Sequence, residues 1–509
     1  LISLMQDQVN QLNERGIKAM YFKNNTLKNP IDHQFDNAKY GNFKLAYLSP
    51  ERLLNKSFLN HIKSLKIHGI AIDEAHCVSE WGHDFRPAFK AIKNLKQLLP
   101  GVPMIAVTAT ATKEVLKSIS FDLGMRTPKV FKSSFERKNI QYKVFTPKNK
   151  IDFIKKSLKN KRESCVIYCN SRKETEYTAM KLQNLGLSCD YFHGGLNNEI
   201  KKQKLAEWKN EKTLIIVATS SFGMGIDKEN VRKVFHIMIP DSMESYYQET
   251  GRAGRDGKLS SAILLVDPKD QNRGYNQYLK HLPNKNDLEK FYKKLSNYLQ
   301  ISYGEGQGMS FKLNFKDFCN TYKFEPKKIF NCFKFLDSEG IFEFQQLYQS
   351  QTYIMLTCSQ KQAIQRIQLN DEGALIIQFL MRNFEDIFRN QKKININKFS
   401  NSLDINIEKI IKHLKLLEKQ NIIKFEQVNT DINLYWKVPR KDQFTLNSSL
   451  KKLEVYTHQK KNKIQKMIEY AFDLNKCKRN SILNYFGEHN ENVCQNCSAN
   501  SCIQEYKSK

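Results

Sequence analysis

The stretch Ile70-Ala71-Ile72-Asp73-Glu74-Ala75-His76 decides the fold class of this chain. A short apolar run that ends in two carboxylates is typical of a buried parallel strand that leads into a nucleotide-hydrolysing site. In such a site Asp73 would bind Mg²⁺, and Glu74 would orient and deprotonate the attacking water. Taken alone, an Asp-Glu pair after a strand is weak evidence, because many such pairs are solvated loop residues.

Similar apolar runs alternate with helix-like stretches such as residues 172–185 over the first half of the chain. They lie at residues 43–48, 69–72, 104–107, 165–168, 214–217 and 234–237. This alternation predicts α/β layers around parallel sheets. A divide near residues 135–150 indicates two lobes of similar size, which we place at residues 1–138 and 139–275.

After about residue 300 the chain contains an internal repeat with an offset of 81 residues, from Ile329 to Ile410. The repeated apolar positions fall on one helical face. They are Ile329, Phe330, Phe333 and Leu336, matched by Ile410, Ile411, Leu414 and Leu417. Gly340 and Asn421 follow, and both residue types tolerate the left-handed conformation that ends a helix.

Each repeat continues into two apolar strands, which we expect to form a hairpin. The strands are residues 341–344 and 352–356 in the first repeat, and 422–425 and 432–438 in the second, with a turn at 429–431. A shorter helix precedes each unit, at residues 316–322 and 396–403. Helix, turn, helix and hairpin form the winged-helix pattern, so residues 276–450 are expected to hold a helical linker and two such modules. The alternative is a pair of α/β modules that contact only protein.

Composition limits the class of protein. The chain has 509 residues, 26% of them charged and 40% hydrophobic, which predicts three or four soluble domains and excludes collagen and wholesale disorder. No apolar stretch approaches the ~18 residues of a membrane span, so we expect no membrane partner. The N-terminus has neither a basic flank nor an initiator Met, so the chain is expected to begin inside a longer gene product.

The net charge of +30 has two readings. A basic protein gains affinity for nucleic acid through released counterions. The other reading is composition bias, because Lys, Asn and Ile are abundant throughout. Most of the eleven cysteines lie singly in apolar runs, which is typical of a reducing compartment.

The run at 70–76 continues as Cys-Val-Ser-Glu-Trp-Gly-His-Asp-Phe-Arg-Pro over residues 77–87. Here the sequence resembles the RecQ family of DNA helicases, in helicase superfamily 2. Further segments resemble the family's motifs Ia, Ib, III, IV, V and VI, at residues 3–8, 47–52, 108–110, 168–172, 217–227 and 248–257. The resemblance covers residues 1 to about 270, and it implies two RecA-like lobes.

The resemblance implies roles for named residues. His76, Thr108 and Thr110 would couple hydrolysis to movement. Gln248, Gly225, Asp227 and Arg252 would contact the nucleotide. Trp81, His83, Phe85 and Arg86 resemble the aromatic-rich loop that stacks on bases, at ~1–3 kcal/mol per base; Ser49, Asn170, Ser171 and Arg172 would also contact DNA. The alternative for the aromatic residues is a core Trp and Phe cluster.

Motif VI supplies the expected arginine finger. A guanidinium that stabilises the charge on the γ-phosphate is worth ~10³–10⁵ in rate. We expect Arg255 to be this finger, with Arg252 as the second choice. The alternative is that both arginines pair with carboxylates inside the second lobe.

Four cysteines near the C-terminal end predict a structural Zn²⁺ site in a module at residues 451–509. They are Cys477, Cys494, Cys497 and Cys502. The Cys494-x-x-Cys497 spacing fits one zinc knuckle, and the surrounding residues resemble the RecQ zinc module. Four residues separate Cys497 from Cys502, where the family usually has two, so His489 is an alternative fourth ligand. Free buried thiols are the other alternative.

The sequence contains no Gly-x-x-x-x-Gly-Lys-Ser/Thr, the loop that cradles phosphates. We therefore expect an N-terminally truncated first lobe, which would bind ATP poorly and hydrolyse little, and which would expose an unpaired sheet edge. The winged-helix-like repeats also precede the zinc module, whereas the family often places its winged helix after it.

The leading hypothesis is part of an ATP-dependent 3′-to-5′ DNA helicase that requires ATP, Mg²⁺ and Zn²⁺. The resemblance implies action on single-stranded and duplex-junction DNA in recombination, repair and the SOS response. It also implies a cytoplasmic, nucleoid-associated bacterial protein with a single-strand-binding protein as a candidate partner. The alternatives are a non-catalytic DNA-binding relic and an RNA helicase of the same superfamily, although the run at 81–87 argues against RNA.

Overall fold

The computed structural model describes residues 2–23, 31–79, 85–158, 162–223, 226–346, 351–394, 396–403, 405–428, 431–490, 492, 494 and 496–502. The chain divides into two compact units. Unit 1 combines Leu1–Leu282 with Lys451–Lys509, and unit 2 is Pro283–Leu450. Among the described residues, no helix has both the length and the hydropathy that are needed to span a membrane.

The first lobe of unit 1 contains short parallel strands between helices. Its elements are α1 Ile2–Glu14, β1 Ala19–Tyr21, α2 Ile31–Tyr40, β2 Leu45–Tyr47, α3 Lys56–Ile62, β3 Ile70–Ile72, α4 Ile92–Leu98, β4 Met104–Ala106 and α5 Lys113–Asp122. β1 pairs with β2, and β3 pairs with β4, as two separate parallel sheets. Leu45 and Ile105 are 43% and 59% exposed, although strands of a parallel sheet are normally buried on both faces. The described residues of this lobe therefore leave part of these strands uncovered, and the expected truncation stays a prediction.

The second lobe is a complete parallel sheet of six strands in the order β5-β10-β9-β6-β8-β7. Its elements are β5 Ile140–Phe145, α6 Lys150–Leu158, β6 Ser164–Tyr168, α7 Arg172–Asn184, β7 Cys189–Phe192, α8 Asn198–Lys209, β8 Ile215–Ala218, β9 Val231–His236, α9 Met243–Thr250, β10 Ser260–Leu265 and α10 Asp270–Tyr278. Strands β6 and β8 are buried along their whole length, which explains their continuous apolar runs. The predicted α/β lobe is confirmed.

Unit 2 is a mixture of helices and antiparallel strands. Its elements are α11 Lys285–Tyr298, β11 Ser310–Leu313, α12 Phe315–Thr321, α13 Pro326–Ser338, β12 Phe342–Gln346, β13 Gln351–Leu356, α14 Gln360–Ile367, α15 Glu372–Asn383, β14 Lys392–Ile394, α16 Ile396–Leu403, α17 Ile407–Lys419, β15 Ile423–Val428 and β16 Ile432–Trp436. The strands form two three-stranded sheets, β11-β16-β12 and β14-β13-β15.

The two repeats exchange strands, so the predicted hairpins within each repeat are wrong. β12 pairs with β16 of the other repeat, and β13 pairs with β15. The second module, from β13 to β15, is thus inserted between the two wing strands of the first. Residues 429 and 430 of the predicted turn lie outside the described residues. The sequence of a turn cannot exclude this exchange, because each strand has an equally apolar partner in its own repeat and in the other repeat.

The repeat itself is reproduced at the level of single contacts. The Asp337 carboxylate in α13 accepts a hydrogen bond from the Phe344 N–H at 3.3 Å. At the equivalent positions 81 residues later, the Glu418 carboxylate in α17 accepts from the Phe425 N–H at 3.0 Å. The end of α13 and the end of α17 are therefore bonded to the strand that follows each helix in the same way.

Two further helices, α18 Gln443–Phe472 and α19 Lys478–Tyr485, complete the chain. The C-terminal half of α18 and the residues of α19 cover one face of the second-lobe sheet with Ile464, Met467, Ile468, Ile482 and Phe486. The opposite face packs against α6 and α7. The C-terminal module is thus part of the hydrophobic core of the second lobe.

Candidate active site and metal centre

Asp73 and Glu74 directly follow β3, and a strained residue turns the chain there. Glu74 has a left-handed backbone, with φ of +50°, and a 3-10 turn over Ala75–Val78 begins after it. Such a conformation costs about 1–3 kcal/mol in a non-glycine residue and is typical of functional sites. The Glu74 N–H donates to one Asp73 carboxylate oxygen at 2.8 Å. Asp73 is exposed, so its other oxygen is available to a cation.

His76 links the Glu74 carboxylate to the loop after β4. Its Nδ1 lies 2.9 Å from the Thr108 hydroxyl and 3.3 Å from a carboxylate oxygen of Glu74. The ring is 1% exposed. The Thr110 N–H donates to the same Thr108 hydroxyl at 3.3 Å. The three residues that we predicted to couple hydrolysis to movement therefore form one hydrogen-bonded group with Glu74.

Tyr47, the first residue of the motif Ib segment, was predicted to contact DNA and not the hydrolytic site, yet it lies close enough to Asp73 to feel its charge. Burial raises the pKa of Tyr47, and the Asp73 charge raises it further. Its position at the end of β2 was the available signal, because the carboxyl ends of parallel strands meet at one edge. Ser49 follows at the start of a 3-10 turn and is half-buried.

The aromatic-rich loop is described only in part. Trp81 and His83 lie outside the described residues. Phe85 and Arg86 are half-buried, and the Arg86 N–H donates to the Cys77 carbonyl at 2.9 Å. The Lys90 ammonium lies over the Phe85 ring, 5.2 Å from the ring centroid. Phe85 and Arg86 therefore sit directly beside the segment that carries Glu74.

Three of the expected DNA-binding residues lie at the carboxyl end of β6, as the parallel sheet predicts. The Asn170 amide donates to the Gln277 side chain at 3.2 Å. Ser171 caps α7, because its hydroxyl accepts the Glu174 N–H. Arg172 is the exposed first residue of that helix. Two of these side chains are therefore engaged in local structure.

The arginine loop, residues 251–257, follows α9. Arg252 is 6% exposed, and its guanidinium donates to the Ile226 carbonyl at 3.4 Å. Arg255 donates to an Asp227 carboxylate oxygen at 2.6 Å and to the Ile226 carbonyl at 3.3 Å. Both arginines thus contact second-lobe groups, and the pairing of Arg255 with a carboxylate matches the alternative that we weighed. Gln248 is half-buried in α9, and Gly225 lies outside the described residues.

Arg137 and Asn139, just before β5, donate hydrogen bonds to the backbone of the arginine loop, and no motif predicted this. The Arg137 guanidinium donates to the carbonyls of Gly251, Ala253 and Gly254 at 3.2–3.3 Å. The Asn139 amide donates to the Gly254 carbonyl at 2.7 Å. Only the tertiary structure brings these residues to the loop, more than 110 positions away in sequence.

The four predicted cysteines form one cluster. The Sγ atoms of Cys477, Cys494, Cys497 and Cys502 all lie within 4.8 Å of one another. A tetrahedral Zn²⁺ with Zn–S bonds of ~2.3 Å requires S–S separations of about 3.8 Å, so the four thiols fit zinc with small shifts. The Lys478 N–H donates to the Cys497 sulfur at 3.3 Å, which would stabilise a thiolate ligand. His489 is exposed and outside the cluster, so the structure brings Cys502, and not His489, to the other three cysteines.

Four family models match the chain. The DEAD/DEAH box helicase model matches residues 1–119, and the helicase conserved C-terminal domain matches 149–257. The RecQ helicase winged-helix domain of Bacteroidota matches 354–427, and the RecQ zinc-binding model matches 440–501. The winged-helix match coincides with the inserted second module of unit 2.

Relatives of known name match over the two lobes. The ATP-dependent DNA helicase RecQ of Bacillus subtilis is 42% identical over 272 residues, which are 53% of this chain and 46% of the relative. The ATP-dependent helicase SGS1 of Saccharomyces cerevisiae is 41% identical over 280 residues, 53% of this chain and 19% of the relative. The chain therefore matches less than half the length of these relatives.

Solved structures are similar at a lower level. The DUF1998 helicase MrfA bound to DNA has a TM-score of 0.44 at 20% identity, over 54% of this chain and 41% of that chain. The Mycobacterium smegmatis helicase Lhr bound to single-stranded DNA has a TM-score of 0.39 at 16% identity, over 65% and 47%. The family assignment rests instead on the family models, the sequence identity and the zinc cluster. The chain belongs to the RecQ family of superfamily 2 helicases.

Proposed function

We propose that this chain contributes the catalytic carboxylates, the arginine loop and the DNA-binding modules of an ATP-dependent 3′-to-5′ DNA helicase. The observation that carries the proposal is the contact of His76 with both Glu74 and Thr108. Because the buried His76 ring contacts both groups, a shift of the loop that carries Thr108 would move the Glu74 carboxylate, and a shift of Glu74 would move the loop. The names of the relatives, all helicases, support the same activity.

The roles of the hydrolytic residues follow from their surroundings. Asp73 would hold Mg²⁺, which supplies charge for the phosphate oxygens. Glu74 accepts the proton of the attacking water, and His76 orients the Glu74 carboxylate. The sequence contains no phosphate-cradling loop, so ATP turnover requires a phosphate-binding segment in addition to these 509 residues.

Arg255 is available as the finger despite its partner. Its side chain is 37% exposed, and that of Asp227 is 61% exposed. Solvent-exposed ion pairs of this kind contribute only about 0–1 kcal/mol, so exchanging Asp227 for a phosphate costs little. Arg252 is buried, and its hydrogen bond to Ile226 assigns it to the support of the loop.

DNA is the proposed partner in both single-stranded and junction form. The net charge of +30 favours a polyanion, and α17 presents exposed lysines on one face. Action in recombination, repair and the SOS response, a cytoplasmic and nucleoid location, and contact with a single-strand-binding protein belong to the same proposal. They rest on the family membership alone.

Substitution of Glu74 tests the proposal directly. The test uses a polypeptide in which these 509 residues are joined to a phosphate-binding segment of the RecQ type. In that polypeptide, Glu74→Gln should lower ATP turnover by about 10²–10⁴-fold and abolish unwinding, because the general base is lost. Glu14→Gln, an exposed position in α1, is the control. Retained unwinding in Glu74→Gln would remove the assigned role.

Two other results would favour the alternatives. DNA binding without ATP turnover in the unsubstituted polypeptide would indicate a non-catalytic DNA-binding protein. Equal stimulation of ATP turnover by RNA and DNA strands of the same length would indicate an RNA helicase.

A further inference from the structure

The linker segment, residues 132–139, precedes β5 and contacts two functional parts of unit 1. Its C-terminal end holds the arginine loop, as described above. Its N-terminal end contacts α19 and the residues that follow it, in the zinc module. The segment belongs to none of the helicase motifs, yet it is hydrogen-bonded to the zinc module at one end and to the arginine loop at the other.

At the arginine loop, the contacts are to the backbone. Arg137 donates to three loop carbonyls, and Asn139 donates to the Gly254 carbonyl and, at 3.1 Å, to the Lys258 carbonyl. These bonds fix the backbone from which Arg252 and Arg255 project, and they involve neither arginine side chain. A shift of Arg137 would therefore move both side chains together.

At the zinc module, the contacts are a carboxylate clamp and a ring stack. Glu488 accepts hydrogen bonds from the Phe135 N–H at 3.0 Å and from the Ser134 hydroxyl at 2.8 Å. The rings of Phe135 and Phe486 stack with centroids 4.4 Å apart and planes within 10°. Ser134 and Phe135, which make these contacts, are three and two residues before Arg137.

Glu136 and the zinc loop complete the attachment. The Glu136 carboxylate pairs with Arg479 at 2.8 Å. Arg479 lies in the first turn of α19, two residues after the N-cap residue Cys477. Cys494 and Arg137 line the same small cavity. The zinc cluster is thus next to the residue that holds the arginine loop.

We propose that the linker segment couples the folded zinc module to the position of the arginine loop, with Arg137 as a positioning residue for Arg252 and Arg255. Loss of zinc or of the Glu488 clamp releases the linker segment, and the arginine loop loses its backbone support. The coupling stands on the geometry, and its consequence for ATP turnover rests on the proposed function.

Hydrogen exchange of the chain itself tests the positioning role. In Arg137→Ala, the amides of residues 252–257 should exchange about tenfold faster, because the loop loses three hydrogen bonds that resist local opening. Arg137→Lys should restore part of the protection, and the zinc content should stay at the wild-type value. Lys138→Ala, the exposed neighbour, is the matched control. Wild-type exchange in Arg137→Ala would overturn the proposal.

A second variant tests the coupling apart from Arg137. Glu488→Ala removes both clamp bonds but none of the four cysteines. With zinc retained, the amides of residues 252–257 should again exchange faster, and chelation of zinc should have the same effect in the wild type. Faster exchange confined to residues 132–136 would overturn the coupling.

The kinetic consequence is tested in the polypeptide that carries a phosphate-binding segment. Arg137→Ala should lower kcat by about 10²-fold, the effect expected for a misplacement of the finger, with KM for ATP unchanged and partial rescue in Arg137→Lys. If the unsubstituted polypeptide hydrolyses no ATP, the proposed function fails, while the exchange experiments still decide the coupling. Turnover equal to the wild type in Arg137→Ala would overturn the positioning role.

Discussion

Single residues determine how the arginine loop is built. Gly254 has a left-handed backbone, with φ of +56°, and a Cβ atom there would lie 2.5 Å from the Asn139 amide nitrogen and 2.7 Å from the Lys258 carbonyl. The loop closes tightly at this glycine because Arg137 and Asn139 both donate to its carbonyl. Gly257 also has a positive φ, of +78°, but no atom lies within 4 Å of its Cβ position.

These two glycines give a matched pair of substitutions. Gly257→Ala should cost only the left-handed backbone penalty, about 1–2 kcal/mol. Gly254→Ala carries the same penalty together with a clash against groups that cannot move without breaking hydrogen bonds, so it should lower the free energy of unfolding further. Urea unfolding of both variants measures the difference. Equal shifts would show that the loop does not need the close approach of Asn139.

The residues of the motifs were predictable from the sequence, but the residues that hold the motifs in position were not. Asp73, Glu74 and Arg255 stand in contiguous runs whose residue types carry their chemistry. Arg137 and Asn139 act through hydrogen bonds to backbone carbonyls, which leave no pattern in the local sequence. The effect of the Asp73 charge on Tyr47 likewise depends on which strand ends the tertiary structure brings together.

Among the elements, α13 contains a carboxyl group whose ionisation opposes folding. Burial raises the pKa of Asp337 to about 6, although the Phe344 N–H lowers it. The unfolded value is ~3.9, so the folded state binds this proton more tightly. The stabilising contribution is complete below pH ~3.9, falls as the pH rises, and is lost above about 6.

Asp337→Asn should reduce the pH dependence of unfolding between pH 4 and 6, on the order of 2 kcal/mol, because the amide does not ionise. Its oxygen still accepts the Phe344 N–H. Denaturant unfolding of the chain at several pH values provides the measurement, with Glu385→Gln at an exposed position of unit 2 as the control. An unchanged pH profile in Asp337→Asn would contradict the assignment.

The equivalent helices α13 and α17 of the two modules differ in charge. Three exposed lysines of α17, Lys412, Lys415 and Lys419, lie at i, i+3 and i+7 on one face. At the equivalent positions, α13 has Asn331, Lys334 and Ser338. The inserted module is therefore the better candidate for contact with DNA phosphates.

Replacement of the three α17 lysines by Gln should weaken duplex DNA binding and reduce the salt dependence of the binding constant by up to about 2.7 in log–log slope. Fluorescence anisotropy across a salt series measures this slope. Lys312→Gln, Lys316→Gln and Lys327→Gln together, in the first module, form the charge-matched control. An equal effect of both triple variants would assign the change to net charge alone.

At the scale of the whole molecule, the zinc module stabilises the second lobe. The Ser498 hydroxyl accepts the Val144 N–H of the edge strand β5 at 2.7 Å, and Phe486 is part of the lobe's core. Folding of the cysteine loop thus covers a sheet edge that is otherwise exposed. Metal binding is expected to contribute directly to the stability of this lobe.

Removal of one ligand tests both the metal centre and its fourth residue. Cys502→Ala should lose zinc and lower the melting temperature of the chain, because three thiolates hold the ion less tightly and the loop leaves β5. His489→Ala should keep the zinc content and the melting temperature of the wild type. Metal analysis and thermal unfolding of both variants provide the measurement. Loss of zinc in His489→Ala would restore histidine as the ligand.

The sequence by itself determined the two-lobe α/β class, the hydrolytic and arginine motifs, the repeat in unit 2 and the cysteine cluster. These features depend on residue types at short spacing, where periodicity and chemistry are both readable. Only the tertiary structure decided the exchange of strands between the repeats, the placement of Cys502 rather than His489 beside the other cysteines, the pairing of Arg255 with Asp227 and the contacts of Arg137 with the arginine loop. Each of these depends on which distant segments meet, and that choice is made by the packing of the whole chain.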